Sequence, residues 1–257
     1  MQEIIQSIIF VAAAVLHGIT GMGFPMLGTT ALAFIMPLPK VVALVALPTL
    51  LMSWLVLCSN SKKKFYQEII DYFNAYKLLA VGSVIGSVVG VELLLILPVS
   101  LLYLLMAGVT LYYSVSGLFG LYKKVEQINV VANQKNMLLF GLLAGVIGGA
   151  TNVMSPLLLM FLFSETDDKN RIVKASNLCY LLAKIVQIYM LRNEYLLLES
   201  HEYTLIIVLT ICSVAGLYVG IWLRNKISAN FFKTLVFFVL LILSVKLGYS
   251  GVAGVLA

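Results

Sequence analysis

An all-α polytopic membrane fold is the class this sequence predicts, and three observations predict it. The 257 residues are 61% hydrophobic with a mean hydropathy of +1.04, well above the roughly 45–50% apolar share of soluble domains. No charge occurs between Glu3 and Lys40, Glu92 and Lys123, Lys135 and Glu165, or Glu202 and Arg224, and each run exceeds the roughly 18 apolar residues that mark a spanning candidate. Two glycine-rich breaks, GITGMGFPM at 18–26 and GVIGGATNVMSP at 145–156, interrupt such runs near the start of each half. Backbone that leaves the helix inside lipid keeps its N–H and C=O groups away from water, so it persists only where protein or a wet cavity satisfies it.

Residues 4–36 form the first segment, broken near Gly18 to Gly23 and restarted near Pro25, a residue suited to a first helical turn. Segment 41–58 follows Lys40 and closes before three lysines. KKKFYQEIIDYFNAY at 62–76 spaces Phe65, Ile69, Phe73 and Tyr76 at near-helical intervals, which predicts an interfacial helix on anionic lipid. Segment 76–97 carries Gly82, Gly86 and Gly90, a small-xxx-small row that lets backbones approach, and stops at Pro98. Segment 101–120 ends before Lys123. Segment 137–163 holds the second break, 172–191 a polar face, 203–223 the glycines Gly216 and Gly220, and 231–249 closes the series.

The second four segments repeat the first. Gly18 and Gly21 match Gly145 and Gly148 at an offset of 127, Pro48 falls opposite Asn177 at 129, and SVIGSVVG at 83–90 matches SVAGLYVG at 213–220 at 130. Loop insertions in a duplicated chain produce such a drift, so a single membrane domain over 1–257 with internal repeats 1–120 and 137–257 is expected.

Charge decides how the halves are related, because short cytoplasmic loops collect Lys and Arg. Lys184 and Lys246 sit within spans and are set aside. If 4–36 and 137–163 each cross once, the remaining basic residues split 8 to 7. If each is a hairpin returning to its starting side, Lys40 and Arg192 lie on one face and the other 13 lie together. The hairpin reading predicts inverted repeats, each opening with a broken or re-entrant helical hairpin, with both termini outside the cytoplasm. Lengths agree: 137–148 and 155–163 would span only about 18 and 14 Å, against a roughly 30 Å core.

The opening Met-Gln-Glu has no positive n-region, so the first segment is expected to stay rather than to be cleaved as a signal, although Ala12 to Ala14 resembles a cleavage site. The net charge of +6 resides mostly in short loops and reads as topology, not nucleic-acid binding. Cys58, Cys179 and Cys212 form no CxxC and give no metal or disulfide signature, so no cofactor or metal is expected.

An anion crossing a bilayer must exchange its hydration shell for fixed donors, and half-helix N-termini offer free N–H groups and a positive dipole end. Thr20, Gly21, Met22, Gly23 and Phe24 form the first such end, with Thr29 and Thr30 behind it; Thr151, Asn152 and Ser155 supply side chains at the second, beside Pro156. Asn177, Tyr180, Lys184 and Gln187 fall at 0, 300, 340 and 280° for 100° per residue, one polar face of one helix. A mid-span lysine costs about 2.5–3.5 kcal/mol on insertion scales and asks for a partner or a use. A bound anion and outward snorkelling are two readings of Lys184. The glycines themselves have a purely structural reading, hairpin geometry and packing. His17 and Glu92 are candidates for carrying a coupling proton, with a packing histidine and a rim carboxylate as their plain alternatives. The residues do not choose between proton and sodium, nor name an oligomeric state.

GITGMGFP at 18–25, GLLAGVIGGATNVMSPLLL at 141–159, the paired GxxxG stretches and the duplicated layout resemble the TauE/SafE family of sulfite and organosulfur-anion transporters, also called the toluene sulfonate uptake permease family. The resemblance spans essentially the whole chain. It implies secondary transport of small anions such as sulfite or sulfonates across the plasma (inner) membrane by a non-enzymatic carrier. A passive anion channel is the nearest competing function. A thiol-redox relay would need facing cysteines, yet Cys179 has Leu50 as its repeat counterpart, and an intramembrane hydrolase lacks GxSxG, HExxH or paired Asp motifs in the spans.

Overall fold

The computed structural model describes residues 2–32, 36–59, 64–123 and 130–256. Among them every regular element is helical: α1 (Gln2–Thr20), α2 (Phe24–Leu32), α3 (Leu38–Cys58), α4 (Phe65–Ile96), α5 (Val99–Lys123), α6 (Gln134–Thr151), α7 (Ser155–Glu165), α8 (Lys169–Met190), α9 (Arg192–Leu196), α10 (Ser200–Lys226) and α11 (Ala229–Leu256). Four stretches, 38–58, 66–96, 202–226 and 229–256, are long and apolar enough to cross a membrane. The chain is a multi-pass membrane protein.

The outward faces are apolar. Ile207, Ile211, Tyr218 and Trp222 on α10, and Phe238, Ile242, Val245 and Tyr249 on α11, are exposed at helical spacing. In lipid such a face costs nothing, and the polar residues turn inward: Ser83, Ser87, Ser213 and Ser244 are buried.

Close backbone contact organises the interior. Gly82, Gly86 and Gly90 of α4 lie against Gly141, Gly145 and the Val146 carbonyl of α6; a Cβ on Gly86 would stand 2.1 Å from the Leu142 carbonyl oxygen. Gly216 and Gly220 of α10 mate in the same manner with Val11, Val15 and Gly18 of α1, where a Cβ on Gly220 would stand 2.2 Å from the Val15 carbonyl oxygen. Contact indices rise together in both pairs, so each pair is parallel, and each joins one half of the chain to the other. α5 and α11 pack antiparallel, with Gly251 on Leu104 and Phe237 on Gly117.

Both broken segments fold back on themselves. Phe10 of α1 meets Phe24 edge-on at 5.5 Å and lies against Gly28, so α2 returns along α1. The end of α7 returns to the level where α4 approaches the first half of α6, since Tyr76 donates to Glu165 at 2.6 Å and Leu79 backs Gly141.

Two ends of the bundle follow. At one, α3 and α10 finish and α8 and α11 begin: Arg224 reaches Ser59, Lys169 reaches the carbonyls of Arg224 and Ile227, Lys174 pairs with Glu68, Arg171 with Glu165, and Lys233 with Asp167. This is the basic end. At the other, Lys40 pairs with Glu202 at 2.8 Å and Tyr195 donates to the Ala43 carbonyl.

The expected interfacial helix at 62–76 is not separate. It runs into the following segment as α4, and the junction survives as a single non-helical residue, Tyr76 at φ −121°, ψ 27°. Tyr76 is buried, held by Glu165 and Arg171, while Phe73 on the expected lipid face is exposed. Lys62, Lys63 and Lys124 lie outside the described residues.

Candidate functional site

The two helix breaks and the polar face of α8 converge in the interior. α1 stops at Thr20 because Gly21 (φ +73°) and Gly23 (φ +104°) adopt left-handed backbone that side chains resist. At Gly21 a Cβ would also meet the Val173 side chain at 2.8 Å. Thr20 closes the break: its hydroxyl lies 2.7 Å from the Leu16 carbonyl and 3.0 Å from that of Met22, and it accepts the Met22 N–H at 3.3 Å. Met22 and Phe24 are buried packing residues.

The second break turns on Asn152, the one non-glycine residue with positive φ among the described residues, at +64°. Asparagine tolerates this conformation better than most side chains. Its N–H closes onto the Gly148 carbonyl at 2.9 Å, while the neighbouring Thr151 hydroxyl is spent on the Ile147 carbonyl at 2.8 Å. The Asn152 side chain is left free to work between elements. Its Nδ2 donates to Thr29 of α2 at 2.7 Å, and its Oδ1 accepts from Lys184 and, at 3.0 Å, from Gln187 Nε2. Gln187 Nε2 also donates to the Gly148 and Gly149 carbonyls at 3.0 Å, and its Oε1 accepts from Lys184.

Lys184 is therefore a buried amine whose partners are two amide oxygens. No carboxylate among the described residues pairs with it, although Lys40, Arg171, Lys174 and Lys233 each have one. With 3% exposure it does not snorkel.

One and two turns back along α8 stand Tyr180 and Asn177. Tyr180 shares a hydrogen bond of 2.7 Å with Ser155, at the start of α7, and its ring lies 6.1 Å from that of His17. Asn177 Nδ2 donates to the Gly21 carbonyl at 3.2 Å and to the Val173 carbonyl at 2.8 Å, so the first break is pinned to α8. Asn177 Oδ1 accepts from His17 Nε2 at 3.0 Å; the imidazole is then the Nε2–H tautomer, and its Nδ1 is a buried acceptor without a partner.

Of the residues singled out from sequence, the fold brings His17, Gly21, Asn152, Ser155, Asn177 and Lys184 to one region along α8, in three separate hydrogen-bonded groups: Lys184 with Asn152, Ser155 with Tyr180, and His17 with Asn177 and Gly21. Thr20, Met22, Gly23, Phe24 and Thr151 shape its walls instead of lining it with free polar atoms. Glu92 is exposed on α4 and stands apart. Thr29 and Gln187 join the Lys184 group through Asn152, a meeting that nothing in the sequence shows. The three cysteines are free, and only Cys179 is buried.

In a comparison with protein families, residues 7–247 match the model described as Sulfite exporter TauE/SafE. No curated protein and no solved structure matches.

Proposed function

Since the chain belongs to the sulfite exporter TauE/SafE family, we propose that it is a secondary transporter of small sulfur-containing anions, sulfite or organosulfonates, and that the anion binds at Lys184 between the two helix breaks. The observation that carries this reading is the Lys184 amine, buried, bonded to the Asn152 and Gln187 side-chain oxygens and without a carboxylate partner among the described residues. Its protonated form is costly in a bilayer, and a transported anion is the counter-charge that offsets the cost while bound.

Lysine offers three donors and two are occupied, so an arriving oxyanion meets a free N–H at once. Rotation of the Asn152 and Gln187 amides turns their nitrogen atoms toward the anion, and the N-terminal N–H groups of α2 and α7 add a positive dipole end. A neutral donor shell with one lysine binds without the permanence of a buried charge cluster.

Alternating access follows from an inverted arrangement of the halves. Each parallel glycine pair, α4 with α6 and α10 with α1, joins opposite halves, so rocking would proceed on the remaining contacts. The collection of basic residues at one end supports a cytoplasmic assignment for that end and external termini. His17 Nδ1, a buried acceptor beside Asn177, is the candidate seat of a coupling proton; Glu92, being exposed, is the weaker one.

The test is uptake into proteoliposomes with a panel of sulfite, thiosulfate, sulfonates, sulfate and small carboxylates. Saturable flux with counterflow for the sulfur anions, lost in Lys184→Met, is the expected result. Non-saturating flux would move the reading to an anion channel, and indifference to the Lys184 substitution would remove the site.

A further inference from the structure

Arg224 lies outside the groups just described and is more completely buried than any of the other arginines and lysines among the described residues, with 0% exposure. Only its Nη2 is engaged, donating to Ser59 Oγ at the end of α3 at 3.2 Å; Nε and Nη1 have no partner. A guanidinium keeps its charge in proteins, and its N–H donors form a rigid planar fork, so the open donors cannot be neutralised by proton loss.

The acidic groups around it have other partners. Glu68 pairs with Lys174 at 2.5 Å, Glu165 with Arg171 at 2.9 Å and Asp167 with Lys233 at 2.6 Å, while Asp168 caps α8 through the N–H groups of Asn170 and Arg171. The C-terminal carbonyls of α10, the other nearby source of negative potential, are taken by Lys169, which meets the carbonyls of Arg224 and Ile227. A buried cation without an ion pair among the described residues is what remains.

Its place in the fold gives it a direction. Gly220 packs on Gly18, and Arg224 is four residues further on the same face of a helix parallel to α1, about 6 Å nearer the basic end. α1 itself breaks at Gly21, about one turn past Gly18, so Arg224 occupies the level at which α1 has ceased. Its guanidinium reaches Ser59, just past the end of α3, and so lies between the level of the break and the basic end.

We propose that Arg224, with Ser59 at its edge, forms a second oxyanion site between the first helix break and the basic end of the bundle. Its ligand class is a small tetrahedral or pyramidal oxyanion accepting from Nε and Nη1. Its use as a waiting position for the anion on its way to or from Lys184 rests on the transport reading above; the binding itself does not.

The experiment titrates thiosulfate against the detergent-solubilised full chain at constant ionic strength and reads the melting temperature. Lys184→Met removes the central site. The expected result is a saturable stabilisation that persists in Lys184→Met and is lost, or shifted at least tenfold to higher concentration, in Lys184→Met/Arg224→Gln. Persistence in the double variant overturns the proposal, as does loss of the response in Lys184→Met alone or its absence from the unmodified chain. If Arg224→Gln does not fold, Arg224→Lys, which keeps the charge without the fork, and hydrogen exchange of the unmodified chain replace it. Thiosulfate-dependent protection of the peptide covering residues 222–228 is then expected, and no protection overturns the site. Should the protein bind thiosulfate through Arg224 yet transport no sulfur anion, the transport reading fails and this site stands.

Discussion

Asn152 Nδ2 donates to Thr29 Oγ1 at 2.7 Å, so the residue at which α6 breaks is tied to the short helix that follows the break in α1. The bond spans 123 positions in sequence and joins the two halves at their interruptions. The same asparagine accepts from Lys184 through its other side-chain atom, which makes it the hinge between scaffold and charge.

Replacing Asn152 by Asp places a carboxylate against Lys184. The pair then holds internally the counter-charge that a substrate anion would supply. Asn152→Asp is expected to fold, to melt at a higher temperature than the unmodified protein, and to transport sulfite at a tenth of the rate or less; undiminished uptake in proteoliposomes would contradict the anion site. Asn152→Ala is expected to lower uptake as well, with no gain in melting temperature.

Thr29→Val keeps the shape of the side chain and removes the acceptor for Asn152 Nδ2. A stranded buried donor costs about 1–3 kcal/mol. A lower melting temperature with an altered KM for the anion in proteoliposome uptake is expected.

Gly86→Ala and Gly220→Ala each drive a methyl group toward a carbonyl oxygen, at 2.1 and 2.2 Å from the Leu142 and Val15 oxygens. Backbone cannot yield as a side chain does, and overpacking of this kind costs about 1–3 kcal/mol. Both variants should melt earlier and elute less uniformly by size-exclusion chromatography. Gly108→Ala, where nothing lies within 4 Å of the added atom, should behave as the parent protein.

Single cysteines in an otherwise cysteine-free chain report sidedness. Cysteines at positions 38 and 64 flank α3 and are expected to label from opposite faces of the cell, with position 64 on the cytoplasmic face. Labelling of both from one face would exclude the hairpin reading. Retained transport in the cysteine-free parent would also dismiss a thiol relay.

What the sequence determined by itself is local in origin. Long uncharged runs and their mean hydropathy set the membrane class. Glycine-rich stretches and a proline suited to a first helical turn announced the breaks, and a period of 100° per residue aligned Asn177, Tyr180, Lys184 and Gln187 on one face of α8. These features depend on neighbours within a turn or two, which a sequence displays directly. The junction at Tyr76 was visible only as the boundary of two patterns, because a kink of one residue leaves the helical period on either side intact.

The tertiary structure alone decided which glycine row meets which backbone, that Asn152 reaches Thr29, and that Glu92 faces away from the site. It also separated Arg224 from the basic residues around it. In the sequence Arg224 is one more positive charge near a loop, indistinguishable from Lys233; in the fold Arg171, Lys174 and Lys233 have carboxylate partners and Arg224 has none among the described residues. The physical reason is that the free energy of a charge is set by burial and by the partners within a few ångströms. Those partners come here from α4, α7, α8, α10 and α11, helices whose meeting no local periodicity encodes.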